Sequence, residues 1–462
     1  MPSSLGRRER MAELLAAAIA CAVATSACSQ SFAGGAVAPS GRGVAVSRAT
    51  SPSHIQHIVI LVQENRSFND FFATFRGVVG ATQGLMKTPS GDVVVQLTKG
   101  HLISDSLGHQ HLAFELEYDH GKMDGFNLVE RALRRGERVR AGKYAYRYVD
   151  PSEIKPYWQI AQQYVLADHM FMTQTSSSFT AHQDLIAGGT PVKGGSVIDF
   201  PTPASWGCDA KPGTVTSLIT SKGRYLQGKG PFPCFAYPTL RDLLDRRSVS
   251  WLYFTNTSTA YVWNAFDAVK AVRYGPEWTR NIVTPGTAIF QTIAGRRLPA
   301  VSWVIPDAVD SDHPGYYSDT GPSWVASIVN AIGESPYWPS TAIIVLWDDW
   351  GGAYDNVAPP QLDGQGLGMR VPMLLVSAYA RQTSPRQLGY VSHTPYEFGS
   401  VVKFIEDNWN LGRLGTTDVR ANSIADCFDF TQPPRGFIRI TAKYTKAYFE
   451  RRPPSGLPVD PE

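Results

Sequence analysis

Four short runs of the chain are apolar almost without interruption, and they restrict its fold more than any other feature. HIVILVQEN (57–65), AVSWVIPDA (300–308), AIIVLWDD (342–349) and VPMLLVSAY (371–379) are rich in β-branched residues. They lack the polar alternation of a strand with one wet face, as expected of a parallel sheet covered on both sides. Helical patterns lie among them, in GPSWVASIVNAIGES (321–335) and TPYEFGSVVKFIEDNWN (394–410). Strands alternating with helices predict an α/β fold with a central, mostly parallel sheet flanked by helices. At 462 residues and 43% hydrophobic composition, the chain is long enough to bury such a core. The loop-rich stretch 190–250 reads as an insertion or cap.

Two of these runs end in carboxylates. In AIIVLWDDWGG the strand pattern runs directly into Asp348 and Asp349, and in HIVILVQEN it runs into Glu64 and Asn65. Adjacent buried carboxylates repel unless a cation or a dense set of hydrogen bonds offsets them. In sheets of this kind ligands bind beyond the carboxyl ends of the strands. Four oxygen-bearing side chains converging there suit a divalent metal ion, so Glu64, Asn65, Asp348 and Asp349 are candidate ligands. Taken singly, each has a plain reading as a helix cap or a turn.

The N-terminus points to export. Arg7, Arg8 and Arg10 precede LLAAAIACAVATSAC (14–28), a run of signal-peptide length and too short for a membrane span. Residues 1–28 therefore read as a signal, removed to leave a periplasmic or extracellular protein without a transmembrane helix. Small residues before Cys28 also suit lipid attachment at that cysteine, although Thr25 stands where a lipidation signal carries an apolar residue. Residues 29–53 are rich in Gly, Ala and Ser and read as a flexible linker. The folded domain is expected over 54–445, with a C-terminal tail over 446–462. Of the 5 cysteines, Cys208 and Cys234 lie in Gly/Pro-rich loops and are expected to form a disulfide after export. Cys427, among apolar residues, reads as a buried thiol. The net charge of +3 is scattered, which gives no nucleic-acid footprint.

VILVQENRSFNDFF (59–72) resembles the opening motif of the bacterial phosphoesterases that include phospholipases C and acid phosphatases of the A type, which share an alkaline phosphatase-like core. GHQHLAFELEYDHGKMDGF (108–126), YVLADHMFMTQTSSSFTAHQDLIAG (164–188), SDHP (311–314), WDDWGGAYDNV (347–357), GLGMRVPMLLVSAYA (366–380) and SHTPYEFGSVVKFIEDNW (392–409) follow in the family's order. The resemblance implies hydrolysis of a phosphate ester with Glu64, Asn65, Asp348 and Asp349 as metal ligands. It places a Ser nucleophile at Ser178, after a helix bearing Ala167-Asp168, with Ser177 as the alternative one residue away. His109 and His313 match the active-site histidines, which would contact phosphoryl oxygens or the leaving group. His393 occupies the position of a further histidine, and His101, His120 and His182 are left as structural or surface residues.

Two departures stand out. Thr180 and Ala181 replace the Pro and Asn usual beside the nucleophile, and Asn356 replaces a His, which removes any acid role there. The substrate implied is a phosphate ester, either a phospholipid-like diester or a simple monoester. A binding protein that kept the fold without the chemistry is the reading from another class.

Overall fold

The computed structural model describes residues 54–192, 194–202, 205–256 and 262–459. The signal, Cys28 and the linker of 29–53 lie outside the described residues. Among the described residues, nine strands form the central sheet. In chain order they are β1 (His57–Gln63), β2 (Val165–Phe171), β3 (Trp251–Phe254), β4 (Ile282–Val283), β5 (Val301–Val304), β6 (Thr341–Trp347), β7 (Arg370–Ser377), β8 (Tyr390–Ser392) and β9 (Tyr396–Glu397). Across the sheet the order is β4-β3-β5-β1-β6-β7-β2-β8, with β9 also paired to β2.

All neighbours are parallel except at β7, which runs antiparallel to both β6 and β2. The run at 371–379 is thus a buried strand as expected, but reversed. An apolar run carries no mark of direction, since either direction buries the same side chains. Its first residue, Arg370, consequently lies at the edge where the parallel strands end. The segment at Ala167-Asp168, expected to be helical, is β2. Its residues Val165, Leu166 and Ala167 are buried between β7 and β8, and this tertiary burial overrides local helix propensity.

The helices fall where the apolar period places them, at Gly321–Gly333 and Phe398–Trp409. They pack on a core that includes Trp303, Trp324 and Trp347, all buried. Within the loop-rich insertion, Pro191–Val192, Ser196–Thr202, Val215–Ile219 and Tyr225–Leu226 pair as a small antiparallel sheet. Past residue 445 the chain still packs on the domain. Helix Lys446–Arg451 buries Phe449 against Trp324, and Ser455 N donates to Asp307 at 2.7 Å. No helix among the described residues is long and apolar enough to cross a membrane.

Cys208 and Cys234 are bonded, 26 residues apart in sequence, and Cys427 is a buried free thiol. The bond ties the insertion to itself close to the bridge between Phe235 and Val269. Loop closure of this length restricts the unfolded chain by about 3 kcal/mol in the chain-entropy model. Replacing both cysteines with serine is expected to lower unfolding free energy by about that amount in a denaturant titration. An unchanged midpoint and slope would show that the cross-link contributes nothing.

Candidate active site

In-register pairing builds the site. Parallel β1 and β6 place Gln63 opposite Trp347, so the residues that follow each strand, Glu64-Asn65 and Asp348-Asp349, emerge side by side. Backbone bonds continue the register, from Asp348 N to Gln63 O at 2.9 Å and from Glu64 N to Ser311 O at 2.8 Å. All four side chains are fully buried. Asp348 Oδ1 accepts from the backbone of Asn65 at 2.9 Å and of Asp349 at 2.7 Å, while Gly351 N donates to Asp349 Oδ1 at 2.8 Å.

The glycines after the carboxylates are required by close approach. Gly351 has φ +60°, and a Cβ there would meet Asn65 O at 2.2 Å. Gly352 has φ +69° and a Cβ would meet Gly108 O at 2.6 Å. Asn65 itself has φ 60°, a left-handed conformation that Asn tolerates better than most residues.

The Asn65 amide has a defined orientation. Its Nδ2 donates to Asp349 Oδ2 at 3.2 Å and lies 2.8 Å from His109 Nε2. His109 Nδ1 faces the carbonyl of Leu107 at 2.6 Å, an acceptor only, so the ring carries its proton at Nδ1 and accepts from Asn65 at Nε2. Asn65 Oδ1 and Asp348 Oδ2 are then left without a hydrogen-bond partner among the described residues. Buried oxygens of this kind are costly unless something positive meets them.

Ser178 opens the helix Ser178–Ala187, and its Oγ donates to Asp349 Oδ2 at 3.0 Å. Ser177 is the residue before the helix, and its hydroxyl has no hydrogen-bond partner among the described residues. Four residues after Ser178 on the same helix, His182 Nε2 lies 3.0 Å from Glu64 Oε1 and 3.8 Å from Asp348 Oδ2. His182, read from the sequence as structural or surface, is therefore buried among the candidate ligands. The helical spacing of Ser178 and His182 was the signal that could have found it.

Glu64, His182 and Asp348 present ligand atoms within 4.8 Å of one another. Two carboxylates, an imidazole and the bare oxygen of Asn65, with Asp349 adjoining, form a donor set that fits a divalent cation. The nearby arginine does not supply the offsetting charge. Arg66 donates to Asp70, to Asp312 O and to Leu102 O, while Lys122 pairs with Asp119.

His313 follows β5, the other neighbour of β1. Its Nδ1 faces Pro314 O at 2.5 Å, and its ring lies 6.1 Å from that of His109, centroid to centroid. His393 belongs to a different group, with Nδ1 at 2.9 Å from Asp168 Oδ2. Below the loop, Trp350 Nε1 donates to Glu117 Oε2 at 2.6 Å, and burial pushes the Glu117 carboxyl well above its ordinary range.

Reversed β7 contributes a clamp. Arg370 Nε and Nη2 donate to Asp355, Nη2 also reaches Asn356 Oδ1 at 3.0 Å, and Nη1 reaches the carbonyls of Val79 and Asp168 at 2.8 Å each. Asn356 thus serves as an acceptor for Arg370. Burial pushes the Asp355 carboxyl up, against the opposing pull of Arg370.

The profile of the Phosphoesterase family matches residues 55–412. A non-hemolytic phospholipase C of Burkholderia pseudomallei is 24% identical, covering 88% of this chain and 64% of its own length. Phospholipase C A of Mycobacterium tuberculosis is 25% identical, covering 83% and 79%. The chain thus spans slightly less than two thirds of the Burkholderia relative. Among solved structures, an alkaline phosphatase superfamily protein from Vibrio parahaemolyticus aligns over 81% of this chain and 73% of its own, with 11% identity and a TM-score of 0.35.

Removing one member of a buried ion pair strands the other. Arg370→Leu is expected to cost about 3–5 kcal/mol of stability, read by denaturant unfolding. A loss below about 1 kcal/mol would mean that Asp355 is neutral beside Arg370.

Proposed function

The chain belongs to the phosphoesterase family, and on that premise we propose that it is a metal-dependent hydrolase of phosphate esters, a phospholipase C-like phosphodiesterase with Ser178 as nucleophile. The observation that carries this reading is the bond from Ser178 Oγ to Asp349, a carboxylate shared with Asn65 and adjoining Asp348. Glu64, Asn65, His182, Asp348 and Asp349 would hold the divalent ion, which when bound lowers the pKa of a nearby hydroxyl and offsets charge on the phosphoryl oxygens.

The chain's own residues account for the remainder. Ser178 lies in the first turn of a ten-residue helix, where backbone N–H groups and the positive end of the helix favour an alkoxide and a bound phosphate. Its Oγ–H already points at Asp349, which takes the proton as the oxygen attacks phosphorus. The ester bond to the leaving alcohol breaks, leaving on Ser178 a phosphodiester that keeps the second alcohol; water then cleaves the bond from Oγ to phosphorus and Asp349 returns the proton to Oγ. His313, with Nδ1–H directed at Pro314 O, protonates the leaving oxygen from its other nitrogen when doubly protonated. His109 acts through the amide of Asn65 and reaches a phosphoryl oxygen only after releasing it.

One feature favours a lipid diester over a simple monoester. A cavity of about 400 Å³ adjoins His109, with Leu107, Leu112, Leu116, Leu128 and Val129 among its lining residues. This space suits the apolar part of a lipid alcohol, in keeping with relatives named as phospholipases C. The disulfide supports an exported, periplasmic or extracellular location.

Ser178→Ala is expected to lower kcat at least about a thousandfold and to abolish any trapped phosphoryl ester on serine, whereas Ser177→Ala keeps turnover. The reverse pattern moves the nucleophile to Ser177. In elemental analysis of purified protein, Glu64→Gln with Asp348→Asn should lose one equivalent of metal together with activity. Undiminished metal would reject this ligand set. Phosphatidylcholine should be a better substrate than an aryl phosphate monoester, and a large preference for the monoester reverses the assignment of substrate.

A further inference from the structure

A second group of metal-ligating side chains lies elsewhere on the sheet. In a regular strand, consecutive side chains point to opposite faces, so Asp168 and His169 on β2 should diverge. Pairing between β2 and β7 shifts register between Val371 and Met373, opposite this part of β2. Such an irregularity re-aims a side chain, and here it brings His169 Nδ1 to 2.6 Å from Asp168 Oδ1. On the other side of β2 the pairing with β8 ends at Ser392 opposite Ala167, and pairing with β9 resumes at Tyr396 opposite Met170. The chain between them carries His393, with Nδ1 at 3.0 and 2.9 Å from the two Asp168 oxygens.

We propose that Asp168, His169 and His393 form a binding site for a divalent transition-metal ion, zinc-like in its preference for imidazole. One ligand atom from each of the three lies within 4.8 Å of the others. Two imidazoles and one carboxylate are the donor chemistry that selects zinc and its neighbours over calcium or magnesium. Asp168 is buried and is further held by Val79 N at 2.8 Å, the kind of outer hydrogen bond that fixes a ligating carboxylate. The side chain of His393 is 56% exposed, which gives an ion a path in. The ion would fasten the crossing from β8 to β9 onto β2. This site does not depend on the phosphoesterase reading, because none of its residues contacts Ser178, Glu64 or Asp348 in the bonds described.

Titration calorimetry with zinc alone tests it, on the metal-free full domain carrying Glu64→Gln and Asp348→Asn. One equivalent is expected to bind, and adding His169→Ala or His393→Ala should weaken it at least tenfold. No zinc bound, or zinc binding indifferent to both histidine changes, overturns the site. Should the carboxylate variant fail to fold, zinc per chain in the otherwise intact protein is counted instead. His169→Ala with His393→Ala should lower that count by one, and an unchanged count rejects the proposal.

Discussion

Three carboxylates buried side by side at the end of two neighbouring strands are the constraint around which the remainder of the molecule is arranged. Glu64, Asp348 and Asp349 have no solvent to screen them, and the protein meets part of the cost with backbone N–H groups from Asn65, Asp349 and Gly351. What hydrogen bonds leave over is met in part by His182, and the remaining bare oxygens form a donor set that fits a divalent cation. Left-handed Asn65 and the close-packed Gly351 and Gly352 follow from the same need, because only a tight double turn brings enough N–H groups to bear.

Sheet topology gives the constraint its address. Parallel pairing of β1 with β6 and with β5 delivers the ends of all three strands to one edge. From there the chain leads directly to Glu64, to Asp348 and, a few residues on, to His313. The reversed β7 sends the opposite terminus to that edge, so Arg370 arrives from the start of a strand and clamps the loop through Asp355 and Asn356. A sheet with one reversed strand can present both an acidic and a basic terminus at a single edge.

Much of this was legible in the sequence. Apolar runs revealed the strands, and the acidic residues closing two of them revealed the edge that matters. Gly/Pro-rich surroundings marked Cys208 and Cys234 as partners. Direction was not legible, because Val371 to Ser377 would be equally apolar in either orientation. Nor was the strand at Asp168, whose LADHM is uncharacteristic of a buried run and is held extended by neighbours far away in sequence. His182 escaped notice for a different reason. A buried histidine four residues beyond a serine is informative only once that serine's place on a helix is known, and the helix begins at Ser178 itself.

The helix that carries Ser178 and His182 is buried along its whole length, with Ser178 through Ala187 each shielded from solvent. One rigid rod thereby holds the Ser178 hydroxyl at its first residue and the His182 imidazole, bonded to Glu64, one turn later. Neither group can drift without carrying the other. A change of side-chain volume at any position along the rod is therefore felt at both groups at once, whereas exposed loops can change shape without moving either.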